Sequence, residues 1–217
     1  MQNPRKTPGK AETGGGRERG RPRAFNREAA LAQATQLFWT KGYEATSIAD
    51  LKNAMGIGSP SLYAAFGSKE ALYAEALNYY RTHYEALVWD RFFAARTAHE
   101  AVQSLLLDSA AALTGDLADI PRGCMVTLSS VGSEGHPELG ELVKSARSAT
   151  LDLVKNRLGR AVAEGEIPAS VDVHGLARFI QTVQNGMSIL ARDGASRAEL
   201  ENVAHVAMQG FEARIPT

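Results

Sequence analysis

Two groups of side chains in this sequence have the chemistry to act on another molecule, and neither is a catalytic set. The first is Arg19, Arg21 and Arg23, in the run Arg19-Gly20-Arg21-Pro22-Arg23. Glycine and proline keep such a run extended and narrow, and its guanidinium groups suit the enhanced negative potential of a narrow A·T-rich minor groove. The second is the stretch from Thr46 to Leu72, TSIADLKNAMGIGSPSLYAAFGSKEAL, where serines, a tyrosine and two lysines sit among apolar residues. Hydrolytic or redox chemistry has no comparable set. The five histidines (His83, His99, His136, His174 and His205) are scattered, with no His-Glu-x-x-His or paired-cysteine ligand pattern. Gly56-Ile57-Gly58 follows no strand, so it is not a nucleotide loop. Neither an enzyme nor a bound metal or cofactor is expected.

The second group needs helices to position it. Ser47 lies three residues before Asp50, the spacing of a capping box, and Ile48, Leu51 and Met55 recur at helical intervals, which predicts a helix over 47–54. Gly56 then ends it. Ser59 as cap and Pro60 in the first turn open a second helix that ends near Phe66. Leu62 and Phe66, four apart, face inward, which leaves Ser59, Pro60, Ser61, Ala64 and Ala65 outward. Ser68 caps a third helix with Glu70 in its first turn. Two helices joined by a short glycine turn form a helix-turn-helix, whose second helix can lie in the DNA major groove.

This stretch resembles the DNA-binding signature of the TetR (tetracycline-repressor-like) family of transcriptional regulators. The matching residues are Leu37-Phe38, Lys41-Gly42-Tyr43, Thr46-Ser47-Ile48-Ala49-Asp50-Leu51 and Gly56-Ile57. Ser61-Leu62-Tyr63, Phe66 and Ser68-Lys69-Glu70-Ala71-Leu72 complete the pattern, which covers roughly residues 25–77. The resemblance implies that Ser59, Ser61 and Ala64, flanked by Pro60 and with Ala49 nearby, approach base edges. It implies phosphate contacts from Tyr63 and Lys69, with Ser47 adding one at its helix N-terminus. Ala64 and Ala65 depart from the family pattern, which often has aromatic residues or histidine there. Alanine offers only apolar contact, such as to a thymine methyl. The arginine run resembles the core of the AT-hook, a minor-groove motif; the alternative is a solubilising or nonspecific phosphate-binding tail.

Length and charge fit this division. The formal net charge is zero, yet residues 1–70 carry 11 Lys/Arg against 6 Asp/Glu and residues 71–217 carry 13 against 18. A basic end on an acidic body is the distribution expected when one end meets nucleic acid. Residues 1–24 are nearly devoid of apolar side chains and are expected to be a disordered basic arm. Residues 25–70 read as the DNA-binding domain and 71–217 as a helical ligand-binding and dimerisation domain. No run of eighteen apolar residues and no basic-then-apolar leader is seen, so a cytoplasmic protein is expected. The single cysteine, Cys124, fits a reducing compartment.

Asn26 caps the first helix, with Ala30, Leu31, Ala34, Leu37 and Phe38 on one face, and a trihelical core of Leu31, Phe38, Ile48, Leu51, Leu62 and Phe66 follows. One long helix is expected over 69–95, carrying an aromatic stripe that reads as core or, alternatively, as ligand wall. Thr97 and Ser196 open further helices with capping boxes, Asp172 caps another, and Pro137 starts a long one after a turn holding a solvated His136. A short helix over 122–132 contains Cys124, a buried small hydrophobe or a redox-sensing thiol. Trp89, Phe93, Leu106, Met125, Leu128, Phe179 and Val183 are candidate ligand-binding residues. The final two apolar helices suit a homodimer interface, which the resemblance also implies; closing a monomeric core is the alternative.

No strand signal appears, so the fold class is all-α. The expected function is a homodimeric regulator that binds a double-stranded, palindromic operator. It is a repressor by resemblance, released by a small-molecule effector, with no membrane partner. The alternative is an architectural protein for A·T-rich DNA that needs no effector.

Overall fold

Local capping decides where most helices begin. The computed structural model describes residues 25–133 and 135–215; Arg19, Arg21 and Arg23 lie outside them. The helices are α1 (Arg27–Lys41), α2 (Ile48–Met55), α3 (Ser59–Phe66), α4 (Lys69–Tyr84), α5 (Ala86–Ala94) and α6 (Ala98–Leu113). Then come α7 (Met125–Leu128), a 3-10 turn (Val131–Ser133), α8 (Pro137–Ala163), α9 (Val173–Arg192) and α10 (Arg197–Glu212). No strand occurs among the described residues. Asn26 Oδ1 accepts from the Ala29 N–H, and Ser47, Thr97 and Ser196 each form a complete capping box. Gly56 takes the left-handed conformation (φ 67) that lets the chain turn out of α2. No helix among these residues is long and apolar enough to cross a membrane.

Two apolar cores result. The first joins α1–α3 to α4 and to one side of α7 and α8, with Phe38, Leu51, Leu62, Phe66, Leu72 and Tyr73 buried together. Leu31 and Ile48, expected inside, are only half-buried. The second core is formed by α5, α6, α9, α10 and the rest of α8, around Phe92, Leu105, Leu106, Leu158, Ile180 and Phe211. Because Leu72 to Tyr80 belong to the first core, packing runs without a gap past residue 70.

Several local expectations are corrected. Ser59 does not cap α3; Gly58 does, and no side chain accepts from the first turn. The helix expected over 69–95 is interrupted at Glu85, which keeps α backbone angles while the hydrogen-bond ladder restarts from its carbonyl. The helix expected over 122–132 shrinks to α7, because Gly123 sits at φ +78. Leu142, whose helical spacing from Leu139 and Ala146 predicts a core position, is exposed: α8 turns it away from both cores. His136 is not a solvated bystander, since its Nε2 pairs with Glu44 Oε1 at 2.7 Å and its ring meets that of Tyr43.

Candidate nucleic-acid interface and interior cavity

The α3 helix shows one face to the core and one to solvent. Leu62 and Phe66 are buried, while Pro60, Ser61 and Ala64 are exposed, Ser59 and Ala65 half-buried, and Tyr63 keeps 47% of its surface. With glycine at the cap, the first N–H groups of α3 have no side-chain acceptor, the usual anion-binding state of a helix start. Ala49 is exposed on α2. Ser47 is exposed too, but its hydroxyl is committed to Asp50, which also accepts from the Ser47 N–H and from Lys41 Nζ at 3.1 Å. Those bonds, the Ser47 N–H first, hold the Asp50 carboxyl down to about 2. Lys69 Nζ lies 4.1 Å over the Tyr43 ring, which fixes the cation beside α3. Pro60, Ser61, Tyr63 and Ala64 thus form the solvent-facing strip of α3, with Ala49 and Ser47 also exposed at the start of α2.

Arg27 was invisible to sequence patterns, and it anchors this strip from behind. Its Nε and Nη2 donate to the Ala65 carbonyl, Nη2 pairs with Glu75 at 2.7 Å, and the guanidinium lies 4.4 Å over Phe66. It thereby satisfies a carbonyl in the last turn of α3, where a cation is favoured by the helix dipole. The available hint was a cation in the first turn of α1, the end where the dipole disfavours it.

A narrow cavity of about 70 Å³ lies between the ends of the two cores, walled by Tyr80, Tyr84, Trp89, Cys124, Gln184 and Asn185 among others. Typical small-molecule sites are roughly 300–1,000 Å³, so a drug-sized occupant needs these walls to move. Of the candidate ligand residues, only Trp89 lines it. Phe93 is 59% exposed and Leu106 fully buried in the second core, while Val183 packs on that core's edge. Met125 and Leu128 face α1 instead, and Phe179 is exposed beside Gly210 on the α9–α10 surface. The polar wall carries no sequence signal, since isolated amides on a helix are ordinary; Gln184 Nε2 donates to Ser109 Oγ and Asn185 Oδ1 accepts from Thr127. Cys124 Sγ accepts from the buried Tyr80 hydroxyl at 3.3 Å, and burial pushes that phenol well up. Among the described residues no group of three or more His, Cys, Asp or Glu is placed to hold a metal.

A trihelical head whose third helix shows one face to solvent, joined to a larger helical body, defines the helix-turn-helix class of DNA-binding regulator. The family model described as "Bacterial regulatory proteins, tetR family" matches residues 30–76. The HTH-type transcriptional repressor ComR of Escherichia coli (strain K12) is 38% identical over 191 residues, 87% of this chain and 90% of that protein. The HTH-type transcriptional repressor BdcR of the same organism is 32% identical, across 88% of this chain and 90% of its own. A cysteine mutant of the TetR family transcriptional regulator CifR, solved with a 26-bp double-strand operator DNA, is 39% identical. It superposes with a TM-score of 0.81 over 88% of this chain and 98% of that one. The chain belongs to the TetR family.

Proposed function

We propose that two copies of this chain present their α3 helices to successive major grooves of a near-palindromic operator, repress transcription in the cytoplasm, and release the DNA when a small molecule opens the interior cavity. The observation that carries the DNA half is the α3 strip itself, exposed and with no side chain capping its first turn. Base contacts come from Ser59, Ser61 and Ala64 with Pro60 and Ala49 alongside, and phosphate contacts from Tyr63, Lys69 and the start of α2 at Ser47. Arg19, Arg21 and Arg23 add minor-groove contacts. Pairing of copies is supported by apolar side chains that α9 and α10 leave exposed: Phe179, Leu190, Val203 and Val206. The relationship to CifR, captured on operator DNA, and to two proteins named as repressors supports the same reading. Residues 25–70 act as the reading unit and the remainder as the sensing and pairing unit.

Fluorescence anisotropy on a duplex that the protein selects from a random pool tests the contacts. Tyr63→Phe and Lys69→Ala are expected to weaken binding to all sequences alike, and Lys69→Ala to reduce the salt slope by about one. Ser61→Ala is expected instead to relax base preference, by about 1–3 kcal/mol at one position. No effect from any of the three removes α3 as the reader.

A further inference from the structure

The cavity and the reading head are joined by one compact set of bonds. The Trp39 indole N–H, at the end of α1, donates to the Gly123 carbonyl at 2.8 Å. Arg192, at the end of α9, donates to the carbonyls of Trp39 and Thr40 at 2.8 and 2.9 Å, and its Nε to that of Arg122 at 2.8 Å. The Trp39 and Thr40 carbonyls lie in the last turn of α1 and lack partners within the helix, and a cation there also meets the negative end of the dipole. The Trp39 ring lies edge-on to Tyr80 at 4.7 Å and tilted to Tyr84 at 5.4 Å. Both tyrosines are cavity wall, as is Cys124, the residue after Gly123. Tyr80 and Tyr84 belong to α4, on which α1 packs directly, and α1 also packs on α2.

We propose that Trp39 and Arg192 form a latch that transmits displacement of the cavity wall to the reading helices. The inference rests on the effector reading above and names the residues through which it acts. An occupant larger than the present cavity that presses on this part of its wall displaces Tyr80, Tyr84 or Cys124 with the adjoining Gly123. Each of these bears on Trp39, and Arg192 makes the end of α1 follow α9 and the Arg122 carbonyl. Movement of the end of α1 then reaches α2 and α3 through the core that these helices share with α4. A close-packed junction of this kind shifts between discrete arrangements rather than deforming smoothly.

The chain's one cysteine supplies the probe. The Cys124 thiol adds across the C=C bond of N-ethylmaleimide, sulfur bonding to one alkene carbon as the π bond is lost and the thiol proton ending on the other, and leaves an adduct too large for the cavity. Affinity for the selected duplex is measured before and after alkylation in wild type, Trp39→Phe, Arg192→Gln and, as control, Cys124→Ser. Trp39→Phe keeps a ring against Tyr80 but lacks the N–H, so it serves even if Arg192→Gln fails to fold. Alkylation is expected to weaken wild-type binding at least about 5-fold, the lower end of ordinary coupling, and either latch variant by less than about 2-fold. Cys124→Ser is expected not to respond. A full wild-type response in both folded variants, or no response in an alkylated wild type that binds duplex, overturns the latch. A wild type that selects no duplex at all instead defeats the regulator reading on which the latch depends.

Discussion

A chain carrying Ala64→Glu is expected to fold as the wild type does and to lose operator binding by about 100-fold or more. Ala64 is exposed on the outward side of α3, between Tyr63 and the half-buried Ala65, and touches neither core. Alanine and glutamate differ little in helix propensity, and exposed substitutions of this kind shift stability by about 0.5 kcal/mol or less. Against DNA the same carboxylate faces phosphates and must be desolvated, a like-charge juxtaposition costing several kcal/mol, with each ~1.4 kcal/mol worth a factor of ten. The measurement is a pair: the thermal melt of the free protein and an anisotropy titration of the selected duplex. Retained binding would place the reading surface elsewhere.

Gly123→Ala is expected to destabilise the protein by about 2–4 kcal/mol, from left-handed strain and overpacking together. Gly123 has φ +78, and a Cβ there would stand 2.5 Å from Leu128 Cδ1 and 2.9 Å from the Ser188 carbonyl oxygen. The leucine end can swing aside; the carbonyl belongs to the backbone of α9 and cannot. Ser188 Oγ also accepts from the Cys124 N–H at 2.8 Å, so the glycine fixes how closely this loop meets α9. Relief of the clash moves the Gly123 carbonyl away from the Trp39 indole. Urea unfolding at a fixed chain concentration checks the loss, since pairing of copies makes apparent stability concentration-dependent. A change under about 1 kcal/mol would mean the loop has freedom that this packing denies.

What could be read from residue order alone was what short-range chemistry dictates. The capping boxes at Ser47, Thr97 and Ser196 and the turn at Gly56 are decided within four residues, and all four stand as expected. The inward pair Leu62 and Phe66 follows from helical spacing, and with it the outward strip. The cap of α3 was misassigned by one residue because serine is the better intrinsic cap, yet Gly58 holds the extended backbone that position needs. Bonds that cross the molecule left no local trace: Trp39 meets Gly123 at a separation of 84 residues and Arg192 at 153. The interior cavity was equally opaque. Apolar periodicity says that Leu106, Met125 and Phe179 leave water or a partner surface, but not toward which neighbour. Arg157, which no local pattern singles out, is buried and reaches the Arg96 carbonyl and Glu166, pinning the end of α8 to the start of α6.

Hydroxyl-radical footprinting on the selected duplex bears most directly on the claim that paired α3 helices read DNA. Two protected patches, related by symmetry and centred about one helical turn apart, roughly 34–36 Å, are the expected result. Ala64→Glu should erase both at the same protein concentration. A single patch, or even protection spread along A·T-rich DNA regardless of α3, would contradict the account and favour an architectural role for the arginine arm.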